Sequence, residues 1–315
     1  MNIKLIYTII LIFIILLFII IKNNKNKENY ENINIDIGNQ LSDYYYKIVM
    51  SILEKKDFEF STNGTWFNDH YQENNIHSFI KEFPQKIPFN EELYNEFVEN
   101  NITAKLLQEQ KFSVGFWATS TKEIELIHKI MKPTINKIFD NTFIKLNIKK
   151  SVQNPIIHFR CADTPFNKRD WYHLQKYSFF KNGLIDIEEK IGKINKITIL
   201  SCSDHLSNEE NKKSCNNYAE LLKEELIEYN PEIKCNSNVD DFVSMFYSPA
   251  VISTISSFSF MSGYFGNGIF IQPKLMVKGN EICLDCKNPY KAYNIPHDKV
   301  HDYHNVDEVY KLLIE

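Results

Sequence analysis

The chain has almost no excess charge of either sign. Over 315 residues, 36 Lys and Arg stand against 40 Asp and Glu, for a net charge of −4. That balance gives no argument for a nucleic-acid partner or for a polybasic face towards a membrane surface. No internal sequence repeat is visible. Cys283-Leu284-Asp285-Cys286 is a lone CxxC; without a second pair it is poor support for zinc and fits a local disulfide or free thiols better. No small-residue cleavage site follows the first apolar run, which passes straight into Lys22-Asn23-Asn24-Lys25; a cleaved signal peptide is therefore disfavoured.

That apolar run is the first positive feature. Leu5 to Ile21 carries no charge, and as a helix it would span roughly 25 Å, near the thickness of a thin hydrocarbon layer. We expect residues 1–22 to be a single uncleaved transmembrane anchor. Residues 23–40, rich in Asn, Lys and Glu, read as a stalk. Orientation is pulled two ways. Lys22, Lys25 and Lys27 behind the span favour a cytoplasmic body. The sequons Asn63-Gly64-Thr65 and Asn101-Ile102-Thr103 favour a lumenal one. Six cysteines are compatible with oxidation. The balance leans to a single-pass protein of ER/Golgi type whose body faces the lumen.

The body is 43% hydrophobic across the chain, enough for a sizeable core. From Leu41 the apolar residues Tyr45, Ile48, Val49, Ile52 and Leu53 recur at helical spacing. Ile124–Phe139 also looks helical, with Pro133 as a kink or break, and Phe112–Phe116 has the look of a strand. After residue 150 strands and helices alternate. Strands are predicted at Pro155–Arg160, Lys196–Cys202, Glu232–Cys235, Ala250–Ile255 and Gly268–Pro273. Helices are predicted at Cys215–Tyr229, Asp240–Ser248 and Ser257–Phe265. Apolar β-branched strands alternating with helices indicate an α/β fold with a parallel sheet covered on both faces.

Chemistry-bearing residues gather where these strands end. His158-Phe159-Arg160-Cys161-Ala162-Asp163 closes the first strand, the place where an open α/β sheet puts its ligands. Arg160 offers the two parallel hydrogen bonds that suit a diphosphate; a plain Arg160–Asp163 ion pair is the alternative. Ser256 and Ser257 mark a turn from strand to helix, where hydroxyls and free amides bind anionic oxygen, or merely cap the helix. Asp240 suits a cap, leaving Asp241 as the better ligand. His297, His301 and His304 would share one helical face, but in a charged segment after Pro296 a solvated helix start fits better than a metal site. Trp171, Tyr172, Tyr177, Phe179 and Phe180 read as core packing rather than a sugar platform.

His158-x-Arg160-x-x-Asp163 resembles the first motif of the superfamily that holds α1,2- and α1,6-fucosyltransferases and protein O-fucosyltransferases, which usually reads His-x-Arg-Arg-x-Asp. Ser203-Asp204-His205 resembles its second motif, and Asp241 with Ser256-Ser257-Phe258 its third, in the same order over roughly residues 150–275. The resemblance implies a GT-B arrangement of two Rossmann-like lobes: an acceptor side at 41–150 and a nucleotide-sugar-binding lobe at 151–315. It implies an inverting, metal-independent transfer from a GDP-fucose donor to a glycan or glycoprotein acceptor; no Asp-x-Asp metal motif occurs. Arg160 would neutralise the departing diphosphate, Ser256 and Ser257 would hold it, and Phe258 would line the nucleotide pocket. Asp241 would contact the guanosine, His158 would sit against the nucleotide, and Asp204 would complete the donor site. Asp163 is the first choice of general base, with Asp170 and His173 behind it. Cys161 stands where a second Arg is common, removing one donor of a kind typically worth about 3–4 kcal/mol. That departure keeps open a different nucleotide sugar, or a non-catalytic carbohydrate-binding protein on the same fold.

Overall fold

The structure, a computed structural model, describes residues 37–60, 77–109, 122–161, 164–166, 173–204, 206, 208–273, 276–277, 280–281 and 293–315. The expected anchor and stalk to residue 36, the Asn63 sequon, the Phe112–Phe116 strand and the CxxC lie outside these residues. Among the described residues no helix is long and apolar enough to cross a membrane.

Five parallel strands form the centre: β3 (Ile156–His158), β4 (Ile197–Leu200), β5 (Pro231–Lys234), β6 (Ala250–Ser253) and β7 (Ile269–Ile271), in the order β5-β4-β3-β6-β7. All five fall within the spans expected or one residue beyond them. Their side chains alternate between two cores, as the two-residue period of a strand requires. Ile156, Leu200, Val251 and Phe270 point into one core; Ile157, Ile199, Ile252 and Ile271 point into the other. Because both faces are covered, the strands are apolar throughout rather than alternating with polar residues.

The second core is closed by α6 (Tyr177–Ile191), α7 (Glu209–Glu225) and α10 (Val306–Ile314). Within it Tyr177, Phe179 and Phe180 are buried, so this half of the aromatic run is core packing; Trp171 and Tyr172 lie outside the described residues. Gly183 is where α6 passes over β6: a Cβ there would meet the Ile252 side chain at 2.9 Å.

The first core is closed partly by α8 (Asn238–Tyr247) and partly by the N-terminal region. That region comprises α1 (Ile37–Leu53), α2 (Ser78–Lys81), α3 (Glu91–Glu99), α4 (Ala104–Glu109), α5 (Lys122–Lys145) and an antiparallel ladder of β1 (Phe58–Glu59) with β2 (Lys86–Ile87). Phe139 and Phe143 of α5 stand against Phe242 and Phe246 of α8 with ring centroids 5.0–6.2 Å apart. One apolar cluster thus runs from Ile37 to Phe270 across the boundary at residue 150. Among the described residues, 41–150 contribute no parallel strand.

Helix α5 runs unbroken through Pro133. Pro133 lies on the exposed face, where the carbonyl it leaves unpaired reaches water, while Ile130, Met131, Ile135 and Phe139 hold the opposite face in the core. Packing outweighs the local break.

Candidate functional site

The order of the strands fixes where a ligand would bind. The chain winds outward from β3 through β4 to β5, then returns to the other side of β3 for β6 and β7. Between β3 and β6 the winding direction reverses, and in open α/β sheets ligands bind at the carboxyl ends of such a switch point. His158 pairs in register with Ser253 at that point.

Past the strand ends the two segments stay joined. Thr254 N–H donates to the His158 carbonyl at 3.1 Å, and Arg160 N–H donates to Thr254 Oγ1 at 3.0 Å. The rings of His158 and Phe258 lie 5.8 Å apart, and Phe258 meets Phe242 of α8 edge-on at 5.5 Å. The first and third sequence motifs therefore meet at one switch point, with Phe258 as their shared contact.

His158 is the singular residue here. Its Nδ1 is buried and finds no hydrogen-bond partner among the described residues. Burial, and then the Arg160 guanidinium, push its pKa down to about 3, so the imidazole is neutral. An orphaned buried ring nitrogen costs stability unless a ligand or water completes it.

Ser256 and Ser257 lie at the same point but are 2% and 3% exposed. The Ser256 side chain makes no capping bond; the expected helix is present over Ser257–Tyr264, as an α-helical turn, α9 (Ser257–Ser259), that continues into a π-helix at Phe260–Tyr264. The start of α1 closes over it: a Cβ on Gly38 would come within 2.3 Å of the Phe258 nitrogen. Gly38 therefore belongs to this site, unforeseen in the sequence. The usable signal was a glycine opening a helix in a chain that has only nine.

A second cluster sits beside the first, at the ends of β4 and β5. Asp241 is 5% exposed; its Oδ1 accepts from Asn236 Nδ2 at 2.7 Å, and its Oδ2 accepts from Asn236 N–H at 3.4 Å. Burial raises its pKa to about 6 despite those bonds. Asp204 is exposed and paired with Lys212 at 3.0 Å. The cap of α8 is Ser237, not Asp240; Asp240 instead pairs with Lys150 at 2.8 Å.

Each cluster carries a disulfide that sequence spacing did not reveal. Cys161 is joined to Cys215 of α7, both nearly inaccessible. Cys202 is joined to Cys235 at the ends of β4 and β5, with Cys202 partly and Cys235 openly exposed. Cys161, in the place of a second Arg, is thus a structural cystine.

Asp163, Asp170 and His205 lie outside the described residues. His173 bonds the Ile295 carbonyl through Nδ1 at 3.1 Å and stacks on His297 at 4.6 Å. The three C-terminal histidines do not share a helical face. His297 lies in a 3-10 turn (His297–Lys299) and bonds Tyr303, His301 is exposed, and His304 bonds Ser214 of α7. Among the described residues no group of His, Cys, Asp and Glu has metal-ligand geometry.

Comparison with protein-family models, curated proteins and solved structures finds no match to this chain.

Proposed function

We propose that this chain is a membrane-anchored inverting glycosyltransferase of the fucosyltransferase type, taking GDP-fucose and needing no metal. The observation that carries this is the meeting of His158, Arg160 and Phe258 at the switch point of a parallel sheet. A nucleotide laid along the carboxyl edge from β6 to β4 would cross roughly two strand spacings, about 10 Å, towards the side of the sheet that carries Asp204 and Asp241.

In the proposed reaction an acceptor hydroxyl oxygen attacks the anomeric carbon as the bond to the β-phosphate oxygen breaks. Asp163 takes the hydroxyl proton, and GDP leaves with the electron pair of the broken bond. Arg160 neutralises the diphosphate, a charge that grows in the transition state and so rewards a fixed guanidinium. The neutral imidazole of His158 leaves Nδ1 free to engage the nucleotide, and Phe258 gives it an apolar wall. Residues 41–150, which pack on the same core as the sheet, would present the acceptor.

The detergent-solubilised full chain is expected to transfer or hydrolyse GDP-fucose, and Arg160→Ala to lower that rate about 100- to 1000-fold with the fold intact. A folded protein inert towards GDP-, UDP- and other nucleotide sugars would contradict any transferase.

One observation favours a second candidate, a transferase with a different nucleotide sugar. Cys161 is locked into a buried bridge, so this position offers the donor no second cation. A thermal-shift panel separates the two: stabilisation by GDP supports the first, by UDP or another nucleotide the second.

A further inference from the structure

The turn between α3 and α4 carries a combination that the transferase site does not use. Helix α3 ends at Glu99, with Asn100 as its cap. Asn101 follows in the left-handed region at φ 57, where Asn is among the residues best tolerated. Its N–H donates to the Val98 carbonyl at 3.0 Å, and Ile102 N–H donates to the Phe97 carbonyl at 2.9 Å. Ile102 is 1% exposed and pins the turn to the core. Asn101 and Thr103 on either side are exposed. The Thr103 hydroxyl accepts from Leu106 N–H at 3.3 Å, which fixes it at the start of α4. Among the described residues nothing holds the Asn101 carboxamide.

Two other asparagines, Asn147 and Asn230, take the same left-handed position. Neither has a Ser or Thr two residues on; Lys149 and Glu232 stand there. Left-handed turns thus explain an Asn at all three positions, whereas the acceptor triplet occurs at Asn101 alone among them.

We infer that Asn101 is an N-glycosylation site and that the body of the protein therefore lies in the lumen of the secretory pathway. Two cystines among the described residues point independently to an oxidising compartment. The required co-reactant is an oligosaccharide linked to a lipid through pyrophosphate. Asn101 Nδ2 bonds to the anomeric carbon of its first sugar, the bond from that carbon to the pyrophosphate oxygen breaks, and the lipid pyrophosphate leaves. The displaced amide proton is lost to solvent, and nothing is oxidised or reduced. The Thr103 hydroxyl is the partner that the triplet requires. This assignment stands apart from the transferase proposal, since none of the proposed donor-site residues lies in α3 or α4. It also settles the opposing orientation signals: Lys22, Lys25 and Lys27 would lie on the lumenal side.

The test is expression of the full chain in a eukaryotic secretory host, read as the gel-mobility shift on treatment with peptide:N-glycosidase. Asn63 belongs to the other sequon, so the comparison is made in an Asn63→Gln background. There the shift should persist, survive Thr103→Ser, and vanish in Asn101→Asp and Thr103→Ala. Asn101→Asp keeps a residue suited to the left-handed turn. Intact cystines by peptide mapping confirm that each variant has folded. Enzymatic release in heavy-oxygen water should convert Asn101, but not Asn147 or Asn230, to labelled Asp. A folded, cystine-bearing protein with no shift in the Asn63→Gln background would overturn the assignment, as would a shift that survives Asn101→Asp.

Discussion

The two clusters at the carboxyl edge of the sheet are built from similar residues, yet they are finished differently. At β4 and β5 the polar groups satisfy one another: Asp241 is bonded by Asn236, Asp204 is paired with Lys212, and an exposed cystine ties the two strand ends. At β3 and β6 the backbone is joined in the same way, but a buried imidazole nitrogen beside Arg160 and Phe258 finds no partner among the described residues. A region that serves only stability tends to complete its hydrogen bonds; one that binds a ligand leaves some for the ligand to complete. On the proposed reading the β3–β6 end contacts the diphosphate and the β4–β5 end is a supporting wall.

The largest effect that could sharpen this contrast concerns the two bridges. Replacing Cys161 and Cys215 together by Ser should cost about 2–4 kcal/mol of stability, measured by denaturant unfolding. The enclosed loops are comparable, with sequence separations of 54 and 33, so removing Cys202–Cys235 should cost nearly as much on chain entropy alone. The difference should appear in access. Mild reduction of the native protein followed by alkylation should label Cys202 and Cys235 and spare Cys161 and Cys215. Equal labelling of both pairs would erase the distinction between a buried and an exposed bridge.

Next in size is a pair of opposed pH dependences. The folded-state pKa of Asp241 is raised from 3.8 to about 6, so the folded protein holds that proton more tightly than the unfolded chain does. The resulting stability is fully present below about pH 4 and is lost as pH rises through 6, an effect of about 3 kcal/mol. Asp241→Asn should remove it, leaving the variant more stable than the parent at pH 7. His158 behaves in reverse: its folded pKa falls from 6.5 to about 3, so its contribution is present above pH 6.5 and lost as pH falls through 3. His158→Gln should flatten that acid limb. Unfolding curves for both variants across pH 3–8 would reveal matching slopes if the clusters were equivalent.

A smaller effect is expected at Gly38. The added methyl of Gly38→Ala would press on the Ser257–Phe258 backbone, an overpacking cost of about 1–3 kcal/mol. Because that backbone adjoins the switch point, GDP should bind more weakly to this variant; unchanged binding would place the nucleotide elsewhere.

Much of this architecture could be read from the chain itself. The five strands were legible because a parallel sheet buried on both faces writes itself as short apolar β-branched runs. Helix α6 was not, because Tyr177, Phe179 and Phe180 crowd its first turn and obscure the helical period. Helix α10 was hidden by its charged surroundings. Pro133 signalled a break that core packing overrode. The site was half legible: His158, Arg160, Ser256, Ser257 and Phe258 do gather at the ends of β3 and β6, but that Gly38 closes over the Ser257–Phe258 backbone depends on a contact between residues about 220 positions apart. The cystines were invisible for the same reason, since partners 33 and 54 residues apart leave no local pattern.

The central claim is that a nucleoside diphosphate binds at the β3–β6 switch point, and calorimetric titration of GDP into the full chain tests it most directly. Binding near the micromolar range is predicted for the parent, strongly weakened by Arg160→Ala and unaffected by Lys223→Ala, whose partner is Glu220 on the surface of α7. No heat of binding to the folded parent, or binding that ignores Arg160, would contradict it.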